Sequence, residues 1–566
     1  MNIKALLTKR IEKALHDIAG AKFPAEIQRN NKIEDVDYQA NGIMRAAKQI
    51  NVQPRELARE IILQSDCDDI AESLEIGGPG FINIKLRDSF LTGLLEHKTL
   101  VRMVKTKQTV IVDYSSPNLA KEMHVGHLRS TIIGDAIARM LECLGHKVIR
   151  QNHVGDWGTQ FGMLLANMQE EQFTTASLSD LEDFYRSSKK KFDADSAFAD
   201  RARSQVVALQ SGDQSAITQW RKYIEISLTH CQTVYEQLGV SLTNEDIAGE
   251  SSYNDSLPLV IEILEQKDLL EESEGAQCVF LEEFSDTDGH RRPLIVRKKD
   301  GGYLYATTDL AAILHRKKLG AERIIYITDA RQKMHFNQVF AVAKKAGFSK
   351  GIEKLEHFAT GAMFGSDGKP FKTRDGGVIR LTELLDEAQT RAKKLIQSKN
   401  PDLSESEQLS RAREIGIGAV KYADLSKNRN SDYLFDWDNM LTLNGNTAPY
   451  LQYAYARIQS IFRQAKVTPD NLTGNIILDS DSERRLAKEL IRFQEILDDA
   501  ATEGYPHYLC NYLFSLSSQF SRFYEDSPIL GQSISTRRSR LLLCERTAKT
   551  LRLGLSLLGI NVLDRM

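Results

Sequence analysis

Patterns of buried strand and amphipathic helix alternate from residue 106 onward, and this alternation restricts the fold more than any other feature of the chain. Val110, Ile111 and Val112 form a short apolar run typical of a strand covered on both faces. The stretch HLRSTIIGDAIARMLECLG follows as a helical pattern with Gly145 as its expected C-cap, and HKVIRQNHVGD indicates the next strand. This order predicts a doubly wound α/β domain built on a parallel sheet.

The rest of the chain divides around this core. Residues 1–105 mix helical patterns with a short extended piece, GPGFINIKL, and predict an N-terminal α+β domain. Residues 106–400 carry the α/β core, interrupted at about 170–290 by polar amphipathic patterns that predict a helical insertion. Over residues 401–566 the strand signal fades, and long helical patterns predict an all-α C-terminal domain.

Composition and charge indicate a globular protein of the cytoplasm. Charged residues make up 27% of the chain, and no apolar run approaches the ~20 residues that a membrane helix requires. The N-terminal stretch MNIKALLTKRIEKALHDI is charged throughout, unlike a signal peptide. The six cysteines are scattered without a CxxC pair, so we expect reduced thiols and no cysteine-based zinc site. The net charge of −3 still permits a nucleic-acid partner, because such binding follows local patches.

The stretch MHVGHLRST lies where the first strand of the core gives way to its helix, and it permits three interpretations. A metal site is disfavoured, because zinc hydrolases place a glutamate within HExxH, whereas Val125 and Gly126 fill that gap here. A phosphate site is favoured by the N–H groups and dipole of a helix start and by a glycine that permits close approach. Simple packing of His124 and His127 is the third. Lys121 adds a cation at the sheet edge where α/β folds bind ligands, which favours phosphate.

The longer frame SSPN…K…HVGHLRST…GDWGTQFG resembles the arginyl-tRNA synthetase family of class I aminoacyl-tRNA synthetases. The resemblance extends over nearly the whole chain, since NGNTAPYLQYAYARIQSI and LLGINVLDRM resemble the family's C-terminal domain. It implies a Rossmann-type catalytic core, an N-terminal additional domain and a helical anticodon-binding domain. It also implies that ATP, accompanied by Mg²⁺, converts L-arginine to arginyl-adenylate and pyrophosphate. The arginyl group then passes to tRNA(Arg), releasing AMP, and the first step is implied to wait for tRNA.

The resemblance assigns residues to ATP, because HVGH matches the family's HIGH signature. The chain lacks a KMSKS string, and the matching place is GKPFKTRDGG, where Lys372 and Arg374 are further catalytic candidates. Lys121 matches a lysine that compensates in family members without KMSKS. Without the HVGH context, GKPFKTRDGG is typical of a basic, glycine-rich surface turn. The residues implied to bind ATP or to act in catalysis are Lys121, His124, Gly126, His127, Met363, Phe371, Lys372 and Arg374. No structural metal is implied.

Arginine requires a carboxylate for its guanidinium group, ideally in a dry, bidentate contact. Tyr305 and Asp309 in YLYATTDLAAI match the family's guanidinium pocket, and both share one helical face if the helix begins by Tyr305. Structural alternatives are a helix N-cap for Asp309, a half-buried strand residue for Tyr305 and a turn residue for Asn118. The residues implied to bind arginine are Asp113, Ser116, Asn118, His124, Tyr305, Asp309 and Gln332.

The resemblance also implies tRNA contacts near both ends of the chain. Phe81 and Asn83 in GPGFINI match a contact to the D-loop, and APYLQYAYARI offers rings and polar groups suited to unstacked anticodon bases. The tyrosines recur at helical spacings, so core packing is the alternative. The residues implied to bind tRNA are Phe81, Asn83, Tyr450, Gln452, Tyr453 and Arg457.

Three rival functions compete with this interpretation. A cytidylyltransferase-type enzyme with an HxGH motif is usually much smaller and leaves the C-terminal helices unexplained. A silent paralogue that only binds tRNA is opposed by the intact Lys121, His124, His127 and Asp309. A class I synthetase for another amino acid is opposed by Asp309 with Tyr305. We expect a monomer with no membrane association.

Overall fold

The computed structural model describes most of the 566-residue chain. The described residues are 1–30, 33, 35–97, 99–119, 121–170, 178–285, 289–365, 368–369 and 379–566. Within these ranges, no helix combines the length and apolar character that crossing a bilayer demands.

The N-terminal region is an antiparallel sheet packed against helices. Its elements are α1 (Ile3–Ala19), β1 (Ile27–Arg29), β2 (Tyr38–Ala40), α2 (Ile43–Ile50), α3 (Pro54–Gln64), β3 (Ala71–Gly77), β4 (Phe81–Leu86) and α4 (Asp88–Glu96). The strands pair in the order β1-β2-β4-β3. Side chains along β4 alternate between half-buried and buried, so one face of the sheet covers the core and the other faces outward. The strand predicted at GPGFINIKL is confirmed.

The central region is a parallel sheet with long connections. Its first elements are β5 (Thr109–Asp113), α5 (Leu128–Cys143), β6 (Lys147–Gln151), α6 (Thr159–Glu170), α7 (Leu178–Ala194), α8 (Ser196–Gln210), α9 (Gln214–Leu238) and α10 (Leu257–Gln266). They are followed by β7 (Glu271–Ser273), β8 (Ala276–Val279), β9 (Leu294–Arg297), α11 (Tyr305–Lys318), β10 (Arg323–Tyr326), α12 (Lys333–Ala346), β11 (Lys354–His357), β12 (Met363–Phe364) and α13 (Leu381–Lys399). The parallel strands pair in the order β11-β10-β5-β6, which confirms the predicted α/β core.

The end of the predicted helical insertion differs from expectation. Helices α7 to α10 follow the amphipathic patterns, but β7 and β8 lie where helix was predicted, and they form a small antiparallel sheet with β9. The hairpin turns at Gly275, whose φ of 82° favours glycine. The strand Glu271–Ser273 is acidic and exposed, so its sequence carries no alternation of apolar and polar residues.

The C-terminal region is helical apart from one short strand. Its elements are α14 (Glu405–Leu425), β13 (Tyr433–Leu434), α15 (Trp437–Met440), α16 (Ala448–Ala465), α17 (Asp481–Leu490), α18 (Phe493–Glu503), α19 (Pro506–Asp526) and α20 (Ile534–Leu557). Strand β13 pairs in parallel with β12 of the central region. A continuous apolar core joins the N-terminal sheet, α5 and the C-terminal helices, so the three regions pack against one another.

Candidate active site

The candidate site lies at the carboxyl edge of the parallel sheet. There β5 and β10 are neighbours, and the chain leads from β5 to β6 on one side and from β10 to β11 on the other. Such topological switch points bind ligands in α/β folds. Directly after β5, Ser115 and Ser116 have left-handed φ angles of 72° and 47°. Such angles cost a non-glycine residue of order 1–3 kcal/mol, so the surroundings must hold this turn. Tyr235 Oη lies 2.8 Å from Ser115 Oγ, and the Ser116 N–H donates to Asn152 Oδ1 at 3.0 Å. Helix α9 and the chain just after β6 therefore support the turn.

The HVGH stretch forms a short 3-10 helix, Val125–His127, that leads directly into α5. Nδ1 of His124 accepts the Gly126 N–H at 3.0 Å, and Nδ1 of His127 accepts the His124 N–H at 3.1 Å. Because a backbone N–H can only donate, each neutral ring must carry its proton on Nε2. The ring centroids are 4.1 Å apart, so this turn presents two neighbouring N–H donors.

Burial and sterics both maintain this pair of donors. Burial is the main reason that the pKa of His127 is lowered to about 3, and the neighbouring His124 and Lys121 contribute to the same shift. The His127 ring is therefore neutral at physiological pH. A Cβ atom at Gly126 would lie 2.8 Å from Cε1 of His124, so glycine is required for the ring to reach the backbone.

The chain that follows the basic loop GKPFKTRDGG pairs with the HVGH segment. The Val125 N–H donates to the carbonyl of Ile379 at 3.1 Å, and Arg380 Nε lies 3.1 Å from Glu122 Oε2. Ile379 and Arg380, which follow the loop in the sequence, therefore lie beside the histidines, which agrees with a role shared by the loop and the HVGH segment. The predicted loop contacts that lie outside the described residues are Phe371, Lys372 and Arg374.

Two further predicted ATP contacts have protein partners in this structure. Lys121 is exposed, and its Nζ lies 4.8 Å from the ring centroid of Tyr185 on α7, a cation–π contact with the insertion. Met363 on β12 is buried, and its Sδ accepts the Tyr433 hydroxyl at 3.0 Å. Lys121 lies close enough to His127 for its charge to act on that ring.

The predicted guanidinium pocket is assembled on α11 and α12. Helix α11 begins at Tyr305, so Tyr305 and Asp309 occupy one helical face, as the spacing predicts. Asp309 is buried, and its Oδ2 lies 2.6 Å from Nε2 of His335. The ring of Tyr305 is mostly exposed and meets His335 edge-on, with centroids 6.3 Å apart. The N-cap alternative for Asp309 and the strand alternative for Tyr305 are thus excluded.

Glu250 is a candidate that the sequence analysis missed. It begins the 3-10 helix Glu250–Ser256, which lies between α9 and α10. Burial raises the pKa of Glu250 to about 8, and the negative charges of Asp156 and Asp309 contribute in that order. The charges of Asp156 and Asp309 thus act on Glu250, and a bound cation would relieve the repulsion among the three carboxyl groups. His335, in the stretch DARQKMH after β10, was also missed because no sequence pattern pairs it with Asp309.

Asp113 has two partners within the protein. Its Oδ2 lies 2.5 Å from Nη2 of the fully buried Arg316, and its Oδ1 accepts the Ser116 hydroxyl at 2.9 Å. Asp113 therefore orders the turn that bears Ser116, and its direct contact with arginine stays a prediction.

Asn118 and Gln332 lie on loops that follow neighbouring strands. Asn118 is exposed, and its backbone forms an isolated β-bridge with Gly155. A Cβ atom added at Gly155 would lie 2.1 Å from Asn118 Oδ1, so the side chain of Asn118 packs against this glycine. Gln332 is exposed at the end of the 3-10 helix Ala330–Gln332, just after β10. Both side chains are therefore open to a ligand at the carboxyl edge of the sheet.

The predicted D-loop contacts share the outward face of the N-terminal sheet. Phe81 and Asn83 are both half-buried and alternate along β4 with buried isoleucines. Asn83 Oδ1 accepts a hydrogen bond from Gln39 Nε2 at 2.7 Å. A ring and two amide groups thus form one surface, which suits a stacked and hydrogen-bonded base.

The predicted anticodon contacts on α16 divide between surface and core. Tyr453 is exposed, and Arg457 Nη2 donates to its hydroxyl at 3.1 Å while the guanidinium lies 5.0 Å from the ring centroid. Tyr450 is half-buried against Phe514. Gln452 is fully buried, and its Nε2 donates to the carbonyl of Asn561 at 2.8 Å. The core-packing alternative therefore holds for Gln452, which corrects its expected RNA contact.

Across the described ranges, no group of three or more His, Cys, Asp or Glu side chains is arranged to hold a metal ion. The six cysteines are unpaired, and all but the half-buried Cys143 are buried.

Comparison with known families assigns each region of the chain. The model of the tRNA synthetases class I (R) catalytic domain matches residues 90–437. The arginyl tRNA synthetase N terminal domain matches residues 2–86, and the DALR anticodon binding domain matches residues 451–566.

Full-length relatives and solved structures agree with these matches. The chain is 53% identical to the arginine–tRNA ligases of Marinomonas sp. (strain MWYL1) and Hahella chejuensis, over 100% of each chain. It is similar to the crystal structure of the Plasmodium falciparum arginyl-tRNA synthetase, with 30% identity, a TM-score of 0.85 and coverage of 100% of this chain and 99% of that one. The Thermus thermophilus arginyl-tRNA synthetase shares the fold, with 24% identity, a TM-score of 0.84 and full coverage of both chains. This chain therefore belongs to the arginyl-tRNA synthetase family of class I aminoacyl-tRNA synthetases.

Proposed function

We propose that this chain is an arginine–tRNA ligase that activates L-arginine with ATP and attaches it to tRNA(Arg). The observation that carries the proposal is a juxtaposition at one edge of the parallel sheet. The two N–H donors of the HVGH turn follow β5. At the same sheet edge, Asp309 contacts His335, which follows β10, and the Glu250 N–H donates to the carbonyl of Val154, which follows β6. One feature suits a nucleotide's phosphates and the other suits a guanidinium cation.

In the proposed first step, a carboxylate oxygen of arginine attacks the α-phosphorus of ATP. A bond forms between this oxygen and phosphorus, the bond from phosphorus to the bridging oxygen breaks, and pyrophosphate leaves. The Nε2–H groups of His124 and His127 donate to phosphate oxygens as negative charge builds in the transition state. Lys121 supplies a positive charge for the phosphates in place of a KMSKS lysine, together with Lys372 and Arg374 of the loop. ATP enters as its Mg²⁺ complex, with the phosphates as the main ligands of the ion.

Arginine is held so that its carboxylate reaches ATP. Asp309 and Glu250 bind the guanidinium, and the exposed ring of Tyr305 lies against its flat face. Ser116, Asn118 and Gln332 hold the amino and carboxylate groups. Neutral amino acids are rejected, because their binding would leave these carboxylates buried and unpaired.

In the second step, a hydroxyl of the terminal ribose of the tRNA attacks the carbonyl carbon of the adenylate, and AMP leaves. Phe81 and Asn83 bind the D-loop, while Tyr450, Tyr453 and Arg457 bind anticodon bases by stacking and hydrogen bonding. The first step depends on tRNA, because the bound RNA completes the site, which is a form of induced fit.

Three further proposals concern the region boundaries, the oligomeric state and the cellular compartment of the enzyme. We infer region boundaries near residues 105 and 400, supported by the start of the parallel sheet at Thr109 and the end of α13 at Lys399. We also propose that the enzyme acts as a monomer in the cytoplasm, where its unpaired cysteines would stay reduced.

The proposal is tested by incubating the purified protein with Mg-ATP, total tRNA and each of the twenty amino acids in turn. We expect attachment of arginine alone, and pyrophosphate exchange with arginine only when tRNA is present. Attachment of a different amino acid would contradict the pocket. Binding of tRNA without any attachment would instead identify a silent paralogue.

A further inference from the structure

Asp309 has a close partner, His335, that contributes no group to the proposed reaction. His335 lies in the first turn of α12, and its Nε2 is 2.6 Å from Oδ2 of Asp309 on α11. A hydrogen bond this short to an ionised carboxylate is among the stronger kinds in proteins. The carboxylate belongs to the proposed guanidinium pocket, so its partner influences how arginine is held.

The packing around His335 leaves its ring little freedom. Tyr305 and Phe336 meet the ring edge-on, with interplanar angles of 85° and 72°. Phe336 is itself buried against Tyr326 and Phe340, with ring centroids 4.8 Å and 5.7 Å away. Since α12 is fixed to the core in this way, the position of Nε2 relative to α11 is fixed as well.

A guanidinium group usually grips a single carboxylate with two parallel N–H bonds. Each carboxylate oxygen can accept two hydrogen bonds, and His335 takes one at Oδ2 of Asp309. A hydrogen bond at Oδ2 fixes the plane of the carboxylate, so it also sets the direction in which Oδ1 faces.

We propose that His335 is a positioning residue that fixes the rotamer of Asp309 and directs Oδ1 to the guanidinium of arginine. His335 does not touch the substrate in this arrangement. The inference rests on the proposed function, because it takes the pocket of Tyr305 and Asp309 as the arginine site.

The test compares two substitutions at one position. His335→Phe keeps an aromatic ring for Tyr305 and Phe336 but removes the donor, whereas His335→Gln keeps an N–H donor at similar reach. We expect His335→Phe to raise the KM for arginine about tenfold, as for loss of a hydrogen bond to a charged group. The kcat, the KM for ATP and the melting temperature should change little. His335→Gln should stay within about threefold of the parent protein.

A double variant separates this inference from the proposed function. In an Asp309→Asn background, His335→Phe should add almost nothing to the KM for arginine, because the two residues act as one unit. If Asp309→Asn itself leaves the KM unchanged, the arginine pocket is wrong, and the proposed function loses its support. If Asp309→Asn raises the KM but His335→Phe does not, or lowers it, the positioning role alone is overturned. An equal rise for the Gln and Phe variants in folded protein would also overturn it.

Discussion

Arg129 and Asp424 form an ion pair that is almost completely buried and joins the first turn of α5 to the last turn of α14. The Nε and Oδ2 atoms are 3.1 Å apart, and the side chains are 3% and 0% exposed. The guanidinium also donates to the carbonyl of Ser431 at 2.8 Å and lies 5.1 Å from the ring centroid of Tyr433. The helix that follows the HVGH turn is thereby anchored to the C-terminal region.

We expect Arg129→Met to lower the free energy of unfolding by about 3–5 kcal/mol, because Asp424 would remain buried without its partner. Denaturant unfolding followed by tryptophan fluorescence provides the measurement. Arg203→Met is the matched control, since the Arg203–Asp200 pair is 59% and 75% exposed and should contribute no more than about 1 kcal/mol. Equal losses of unfolding free energy in the two variants would show that the buried pair stabilises the protein no more than the exposed pair does.

Structural features that depend on a single helix or strand could be predicted from the sequence. The apolar run Val110–Val112 and the helical pattern after it suffice for β5 and α5, because periodicity reports burial within an element. The shared face of Tyr305 and Asp309 follows in the same way from their spacing in α11. The HVGH turn could be placed at a strand-to-helix junction, although the hydrogen bonds that fix each imidazole could not.

Contacts between distant elements escaped prediction. The charge of Asp309 acts on Glu250 because the 3-10 helix between α9 and α10 packs beside α11, and His335 reaches Asp309 only through the packing of α12. Gln452 was assigned to RNA from its place among tyrosines, but tertiary packing buries it under the chain end at Asn561. Asp113 met a buried arginine, Arg316, that no local pattern pairs with it.

Lys121→Ala should reduce pyrophosphate exchange by about 10²–10³-fold, because a charge aimed at the phosphates of the transition state is lost. Binding of tRNA, measured by filter retention, should change less than about threefold, since the lysine faces the nucleotide in the proposed mechanism. Lys121→Arg is the charge-retaining control and should keep more activity than Lys121→Ala. A parallel loss of exchange and tRNA affinity would place Lys121 on the RNA surface instead.

Arginine binding should release a proton near pH 7. The pKa of Glu250 is raised to about 8, so its carboxyl group is mostly protonated in the free protein at that pH. A bound guanidinium favours the ionised form, so affinity for arginine should fall as the pH drops below about 8. Calorimetry at pH 7 in buffers of different ionisation enthalpy, with tRNA present, measures the released proton.

Glu250→Gln provides the control for this linkage. An amide at position 250 cannot titrate, so proton release should disappear and the affinity should become weaker and less dependent on pH. The raised pKa of Glu250 also affects the stability of the protein, with the opposite sign to that of an ion-paired carboxylate. The folded protein binds more protons than the unfolded chain between the ordinary value of 4.5 and about 8, so this group lowers stability as the pH rises through that interval. Proton release that persists in Glu250→Gln would assign it to another group.

Tyr453→Ala should raise the KM for tRNA about tenfold while leaving the KM for arginine and ATP unchanged. The exposed ring lies with Tyr524 around Arg457, whose guanidinium is 5.0 Å and 5.6 Å from the two ring centroids. Stacking on such a ring contributes about 1–3 kcal/mol per base, which sets the expected loss. Gln452→Ala, one residue away but buried, is the matched control and should lower stability rather than tRNA affinity. An unchanged KM for tRNA in Tyr453→Ala, or a larger effect in Gln452→Ala, would move the anticodon contact to another face of α16.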